Sequence, residues 1–253
     1  MGTADTRYNE QFRPEFSRLH HDRDLRWVVP FSVRYVVAIS GERFAGKSAT
    51  LAHLSEKKGF ELYSLASTLR EEAVRLGVAL EPRYRLQDLG DELRAHFNDP
   101  AYLARITLRR IHRDHLAQRG TIEPLRRVAV GGFKRPEEIL LFESLGRFQH
   151  LKVAATLANR LQRAKRSGIG ARELHLIDPD LKLNKASFKR HIDDRDRQGD
   201  DNPWRSGFGQ AVAELMEMPG AEPVPNNDDL ADLGSRLDEK IKQLDRLYRA
   251  FSA

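Results

Sequence analysis

Cysteine is absent from the 253-residue chain, which excludes disulfides, thiolate zinc sites and a cysteine nucleophile. A cytoplasmic protein is the expectation that fits. No run of about 18 apolar residues occurs, so no membrane-spanning helix is expected. The N-terminus, MGTADTRYNEQFRPEFSR, lacks the apolar centre of a signal peptide. There is no compact Lys/Arg tail and no aromatic-basic RNA motif. Nucleic acid is therefore an unlikely partner, although the formal charge of +6 favours anionic ligands. Internal repeats and low-complexity tracts are missing as well. The histidines, among them His20 and His21 beside Asp22, His150 and His175, show no metal-ligand spacing and read as ordinary surface or core residues.

What remains is the composition of a globular protein, 40% hydrophobic and 32% charged, long enough for one sizeable core with a small mobile part. Residues 1–33 are polar and broken by Pro14 and Pro30, and are expected to form an extension. A single domain follows over 34–253. The continuous apolar run RYVVAIS (34–40) predicts a strand buried on both faces. Helix is expected over 47–59, strand over 60–65, and helix over 67–77 with Ser67 as a candidate cap. Two helices (85–97 and 101–120) are parted by the turn at 98–100. Strand 126–133 then leads into helix 135–146, which opens with proline and acids. Strand 150–156 and helix 157–168 follow. The charge-dense segment 169–202 is expected to be a mobile lid, and 206–218 to be helical. AEPVPNN (221–227) is a poor strand because Pro223 and Pro225 each lack a ladder donor. An amphipathic helix capped by Asn226 or Asn227 closes the chain. Strands alternating with helices predict an α/β fold with a mainly parallel sheet flanked by helices.

The stretch GERFAGKS matches G-x-x-x-x-G-K-[ST] through Gly41, Gly46, Lys47 and Ser48. Glycines let backbone N–H groups wrap phosphates, the lysine reaches the outer phosphates, and the serine hydroxyl ligates Mg²⁺. The helix behind the loop adds its positive end. With a buried strand before it and a helix after it, this is the P-loop of a nucleoside triphosphate site. ATP and Mg²⁺ are the expected cofactors. The binding residues would be Gly41, Glu42, Arg43, Phe44, Ala45, Gly46, Lys47, Ser48 and Ala49, with Ser48 as the metal ligand.

Six further stretches, in order, carry a resemblance. SLASTLREEAVRLG resembles the phosphate-acceptor helix of the nucleoside and deoxynucleoside monophosphate kinases. YRLQDLGDELR resembles the L-Q-x-x-G…R helix of the deoxynucleotide kinases. VAVGGFKRPEE resembles their D-G-F-P-R segment, and VAATLANRLQRAKRSG the strand and arginine helix leading to the lid. DDRDRQ resembles the element leaving the lid, and VPNNDDL the final strand followed by Asn. The related dephospho-coenzyme A kinases share this order.

The resemblance implies a P-loop NTPase fold and transfer of the γ-phosphate of ATP to a nucleoside monophosphate, a deoxynucleotide first. Arg70 and Arg135 would hold the acceptor phosphate, Arg94 would add a third contact, and Gln87 would read a base edge. Lys47, Arg163 and Arg195 would act on the transferring phosphoryl, with Arg160 and Arg166 on the donor phosphates. Arginine suits these tasks because its planar fork grips phosphate oxygens bidentately. The plainer alternatives are that Arg70 pairs with Glu71 or Glu72, that Arg135 offsets Glu137 and Glu138, and that Arg94 is an exposed helix residue. A homodimer or a regulatory protein partner is compatible with either reading.

One departure stands out. The acid that supports Mg²⁺ in these kinases is replaced by Gly131, and Glu42 is the nearest carboxylate to substitute for it. A kinase-like nucleotide-binding module with weak or no transfer is therefore the second expectation.

Overall fold

The structure is a computed structural model and describes residues 33–78, 80, 83–116, 126–167, 217–227 and 230–249. The N-terminal extension apart from Val33, which already belongs to the first strand, the expected lid 169–202 with Arg195, and nearly all of the helix expected over 206–218 lie outside the described residues. Among the described residues five strands form one parallel sheet in the order β2-β3-β1-β4-β5. In chain order the elements are β1 (Val33–Gly41), α1 (Lys47–Lys58), β2 (Glu61–Ser64), α2 (Leu65–Arg75), α3 (Arg83–Phe97) and α4 (Tyr102–Leu116). β3 (Arg126–Gly131), α5 (Pro136–Glu143), β4 (Phe148–Ala154), α6 (Leu157–Ser167), β5 (Glu222–Pro225) and α7 (Leu230–Leu247) complete it.

The apolar run of β1 is continuous because both of its faces are covered. Val36 and Ala38 pack with Leu69, Leu89, Leu103 and Phe142 from the α2–α5 side. Tyr35, Val37 and Ile39 pack with Leu54, Leu233, Leu237 and Ile241 from α1 and α7. Parallel sheets need this double cover, since crossover helices lie on both faces. β1 is central, with β3 on one side and β4 on the other, so the chain reverses its direction of strand addition there. The crevice beyond the carboxyl ends at such a point is where open α/β sheets bind ligands.

Two expectations are corrected. First, α2 begins at Leu65, and Ser64 occupies its N-cap position without a side-chain cap bond, so Ser67 lies inside the helix. The strand ends there and its backbone turns directly into the helix.

Second, the proline-broken segment is a regular edge strand, with Val224 buried and paired to Val153. The two prolines share one parity. The Asn226 N–H donates to Ala154 O at 2.7 Å, so residues 222, 224 and 226 turn their backbone groups toward β4, while Pro223 and Pro225 turn theirs outward. The missing donors fall on the open side and cost no ladder bond. There the Pro225 carbonyl accepts from Arg236 Nη1 at 2.7 Å.

Asn226 and Asn227 use their side-chain oxygens on Arg163 and on the Thr156 N–H respectively. Those bonds tie the end of β5 to α6 and the residue before it, while residues 228–229, where a cap of α7 would be read, lie outside the described residues.

At the opposite end of the sheet, Asp245 of α7 collects three groups. Its Oδ1 accepts from the Tyr35 hydroxyl at 3.0 Å, its Oδ2 from Arg127 Nη1 at 3.1 Å, and Arg34 Nη1 lies 3.6 Å from Oδ1. Burial and this carboxylate hold the Tyr35 hydroxyl well above its ordinary range. Asp245→Ala leaves two half-buried guanidinium groups and a buried hydroxyl without this acceptor. It is expected to destabilise the fold by about 2 kcal/mol, measured as a lower urea midpoint at unchanged m-value.

Candidate functional site

The turn after β1 is held in a conformation that few residues adopt. Phe44 has φ +60° and Gly46 has φ +112°. A bulky residue at positive φ is a strained position and points to function. At Gly46 no side chain fits, because an added Cβ would stand 2.0 Å from Asn226 Nδ2. Gly46 is the N-cap of α1, which supplies the unpaired N–H groups of its first turn and its positive end.

Lys47 Nζ donates to the carbonyls of Gly41 at 2.7 Å and Glu42 at 2.8 Å. Its ammonium is thus folded back over the loop onto backbone oxygens. Burial, and then the charges of Arg160 and Arg43, lower its pKa from 10.5 to about 8, against the opposing pull of Glu42. A half-buried ammonium at the N-terminal end of a helix is an arrangement that can take an anion.

The Ser48 side chain is exposed at the start of α1. A Cβ on Gly131 would meet Leu51 Cδ1 at 2.7 Å, one turn past Ser48. An apolar contact therefore fills the position where an acid was sought. Glu42, the expected substitute, has its Oε1 2.5 Å from Arg160 Nη1. Among the described residues no group of three His, Asp or Glu could hold a metal ion by itself. Ser48 is the residue that would hold Mg²⁺ here, were a nucleotide bound to share it, since Mg²⁺ keeps several waters and needs few protein ligands.

The expected donor arginines lie behind the loop. Arg160 is buried and its Nε donates to Arg43 O at 2.8 Å. Arg163 Nη1 reaches Ala45 O at 2.9 Å and Phe44 O at 3.3 Å, and its Nη2 reaches Asn226 O at 2.7 Å.

On the other flank, the turn between β3 and α5 carries Lys134 and Arg135. The buried Glu138 Oε2 accepts both of their N–H groups, at 2.8 and 3.2 Å. Glu138 Oε1 holds Arg94 Nη2 at 2.8 Å, and Arg94 Nη1 holds Asp91 Oδ1 at 2.9 Å. Asp91 Oδ1 in turn lies 3.8 Å from Arg135 Nη2, which closes a ring. Burial raises the Asp91 pKa, while Arg94, Lys134 and Arg135 pull it down.

Arg94 is thus 2% exposed and central to this ring, not an exposed helix arginine. Arg70 is exposed on α2, and its neighbours Glu71 and Glu72 pair instead with Arg110 and Arg75. Gln87 falls within α3, but its side chain lies outside the described residues. His150 is buried on β4 beside β1, with Nε2 2.6 Å from Ser40 Oγ and its pKa lowered by burial to about 4. It is a neutral core histidine.

Sequence reasoning gave Asn226, Asp91 and Glu138 no role in the site, although Glu138 was named beside Arg135 and the asparagine after the final strand was part of the resemblance. The two acids carried no motif, and Asn226 read as a helix cap.

No protein-family model matches this chain, and no curated protein does. Among solved structures, shikimate kinase from Acinetobacter baumannii in complex with shikimate is 15% identical, covering 84% of this chain and 96% of that one at a TM-score of 0.46. TT1252 from Thermus thermophilus is 18% identical, with coverage of 83% and 97% and a TM-score of 0.44. A gluconokinase from Sinorhizobium meliloti 1021 is 15% identical, with coverage of 88% and 96% and a TM-score of 0.43. Likeness at this level assigns no substrate to this chain.

Proposed function

We propose that the chain is a phosphotransferase that binds ATP·Mg²⁺ in the loop at 41–48 and passes the γ-phosphoryl to a small anionic acceptor. A nucleoside monophosphate, a deoxynucleotide first, is the acceptor that the order of sequence motifs implies. The observation that carries the reading is the pairing of two cationic centres at one end of the sheet. Lys47 follows β1, and the Lys134–Arg135 turn follows the adjacent β3. Phosphoryl transfer between anions is mainly positioning and charge neutralisation, which such a pair supplies. In this reading Lys47 stays with the outer phosphates, Ser48 orients the metal and its waters, and Arg135 holds the acceptor.

Asp91 adds one discriminating feature. A monophosphate attacks through an oxygen that is already ionised, whereas a hydroxyl acceptor needs a base, and Asp91 is the carboxylate beside Arg135. The test is incubation with ATP and Mg²⁺ against ribo- and deoxynucleoside monophosphates, dephospho-coenzyme A and hydroxylated carboxylic acids, with products separated by chromatography. One acceptor is expected to give matched ADP and phosphorylated product. Arg135→Ala should then raise its KM by roughly tenfold to a hundredfold with ATP affinity little changed. No acceptor-dependent ADP across the panel would sink the enzyme reading. It would leave the nucleotide-binding module, which the Gly131–Leu51 contact in place of an acid favours.

A further inference from the structure

Three groups from outside the loop converge on its carbonyl oxygens. Arg160 Nε reaches Arg43 O, Arg163 Nη1 reaches Phe44 O and Ala45 O, and Asn226 Nδ2 reaches Ala45 O at 2.6 Å. A peptide group is planar and trans, so a carbonyl fixed on one side aims the following N–H to the other. With Arg43 O and Ala45 O drawn toward α6 and β5, the N–H groups of Phe44 and Gly46 are turned to the opposite, concave side. The strained φ of Phe44 lies between two of these fixed carbonyls. Such strain persists only where surrounding bonds over-determine it.

We infer that Asn226, with Arg163 and Arg160, is a positioning device that sets the direction of the loop's peptide groups and so its affinity for a polyphosphate. The inference rests on the proposed phosphate-binding role of the loop. Asn226 is the keystone. It is 1% exposed, its N–H anchors it to Ala154 of β4, its Nδ2 donates to Ala45 O, and its Oδ1 accepts from Arg163 Nη2 at 3.1 Å. Its packing against the Cα of Gly46 leaves no space for a side chain there, so position 46 answers to Asn226 as well as to φ. The two arginines act through the loop in this state. The Arg160 charge also lies close enough to Lys47 to oppose its ammonium form, after burial and alongside Arg43.

The probe is inorganic tripolyphosphate with Mg²⁺, which has no base or sugar to report on other contacts. Calorimetry on the full chain is expected to show binding, weakened about tenfold or more by Asn226→Ala, the loss of about one hydrogen bond's worth of preorganisation. A purely structural role would change stability alone. The distinguishing readout is therefore the ¹⁵N–¹H signal of Gly46, expected to broaden by μs–ms exchange in the variant as its peptide group is released. Arg163→Lys, which keeps charge but loses the fork, is the second variant should Asn226→Ala fail to fold, and the same two changes are expected. Unchanged affinity and a sharp Gly46 signal in a folded variant overturn the inference while leaving the phosphate site standing. No tripolyphosphate binding by the unaltered chain overturns both.

Discussion

Replacing Lys47 with methionine is expected to reduce ATP·Mg²⁺ affinity by about a hundredfold, the value of one charge-assisted contact to phosphate, while making the ligand-free protein more stable at pH 7. The second effect follows from the lowered pKa. Folding holds Lys47 near 8 against 10.5 in the open chain, so its charged form is disfavoured in the native state. That cost is fully present below pH 8 and fades as pH rises toward 10.5, because the unfolded chain binds more protons within this window. The Tm advantage of Lys47→Met should accordingly be largest at neutral pH and shrink above pH 8. Binding has the complementary signature. Phosphate favours the ammonium form, so ATP titrations at pH 8.5 in buffers of different ionisation enthalpy should reveal proton uptake, absent in the variant. Equal affinity in a folded Lys47→Met protein would remove the phosphate-cradle reading.

The second large effect concerns Arg94. Arg94→Ala is expected to destabilise the fold by about 3–5 kcal/mol, because it strands the fully buried Glu138 carboxylate and releases Asp91. Pairing Arg94→Met with Glu138→Gln should recover part of that loss, since no charge then remains buried without a partner. The measurement is urea unfolding of the single and double variants. If Arg94 instead served mainly as an acceptor contact, Arg94→Ala would leave the urea midpoint nearly unchanged and alter only kinetic constants.

The loop and its flanking strand and helix were legible because the pattern is local. Glycine spacing, an apolar run and a helical stretch are all written within about thirty consecutive residues. Arg94 was not legible in the same way. Its partner Glu138 lies 44 positions away, and nothing in LGDELRAHF distinguishes a buried arginine from a solvated one. Asn226 was still less accessible, being 181 positions from the Ala45 carbonyl that it fixes. The prolines of β5 misled for a related reason. Their effect depends on which way each residue faces across the sheet, and only the pairing with β4 decides that. The replaced acid at Gly131 was visible as a departure. Its occupant, Leu51, required the packing of α1 over β3.

The central place of β1 has a consequence for synthesis. β1 is the first described strand made, yet its two neighbours are β3 and β4, supplied by residues 126–131 and 148–154. Until those emerge, a nascent chain carries an apolar strand with both edges unpaired, the kind of segment that recruits chaperones or pairs with other chains. The loop that follows it is in the same position, because the groups that shape it arrive with residues 160, 163 and 226. Under the proposed function, nucleotide would meet a finished cradle only after most of the polypeptide has been translated, and would not serve as an early template for its folding.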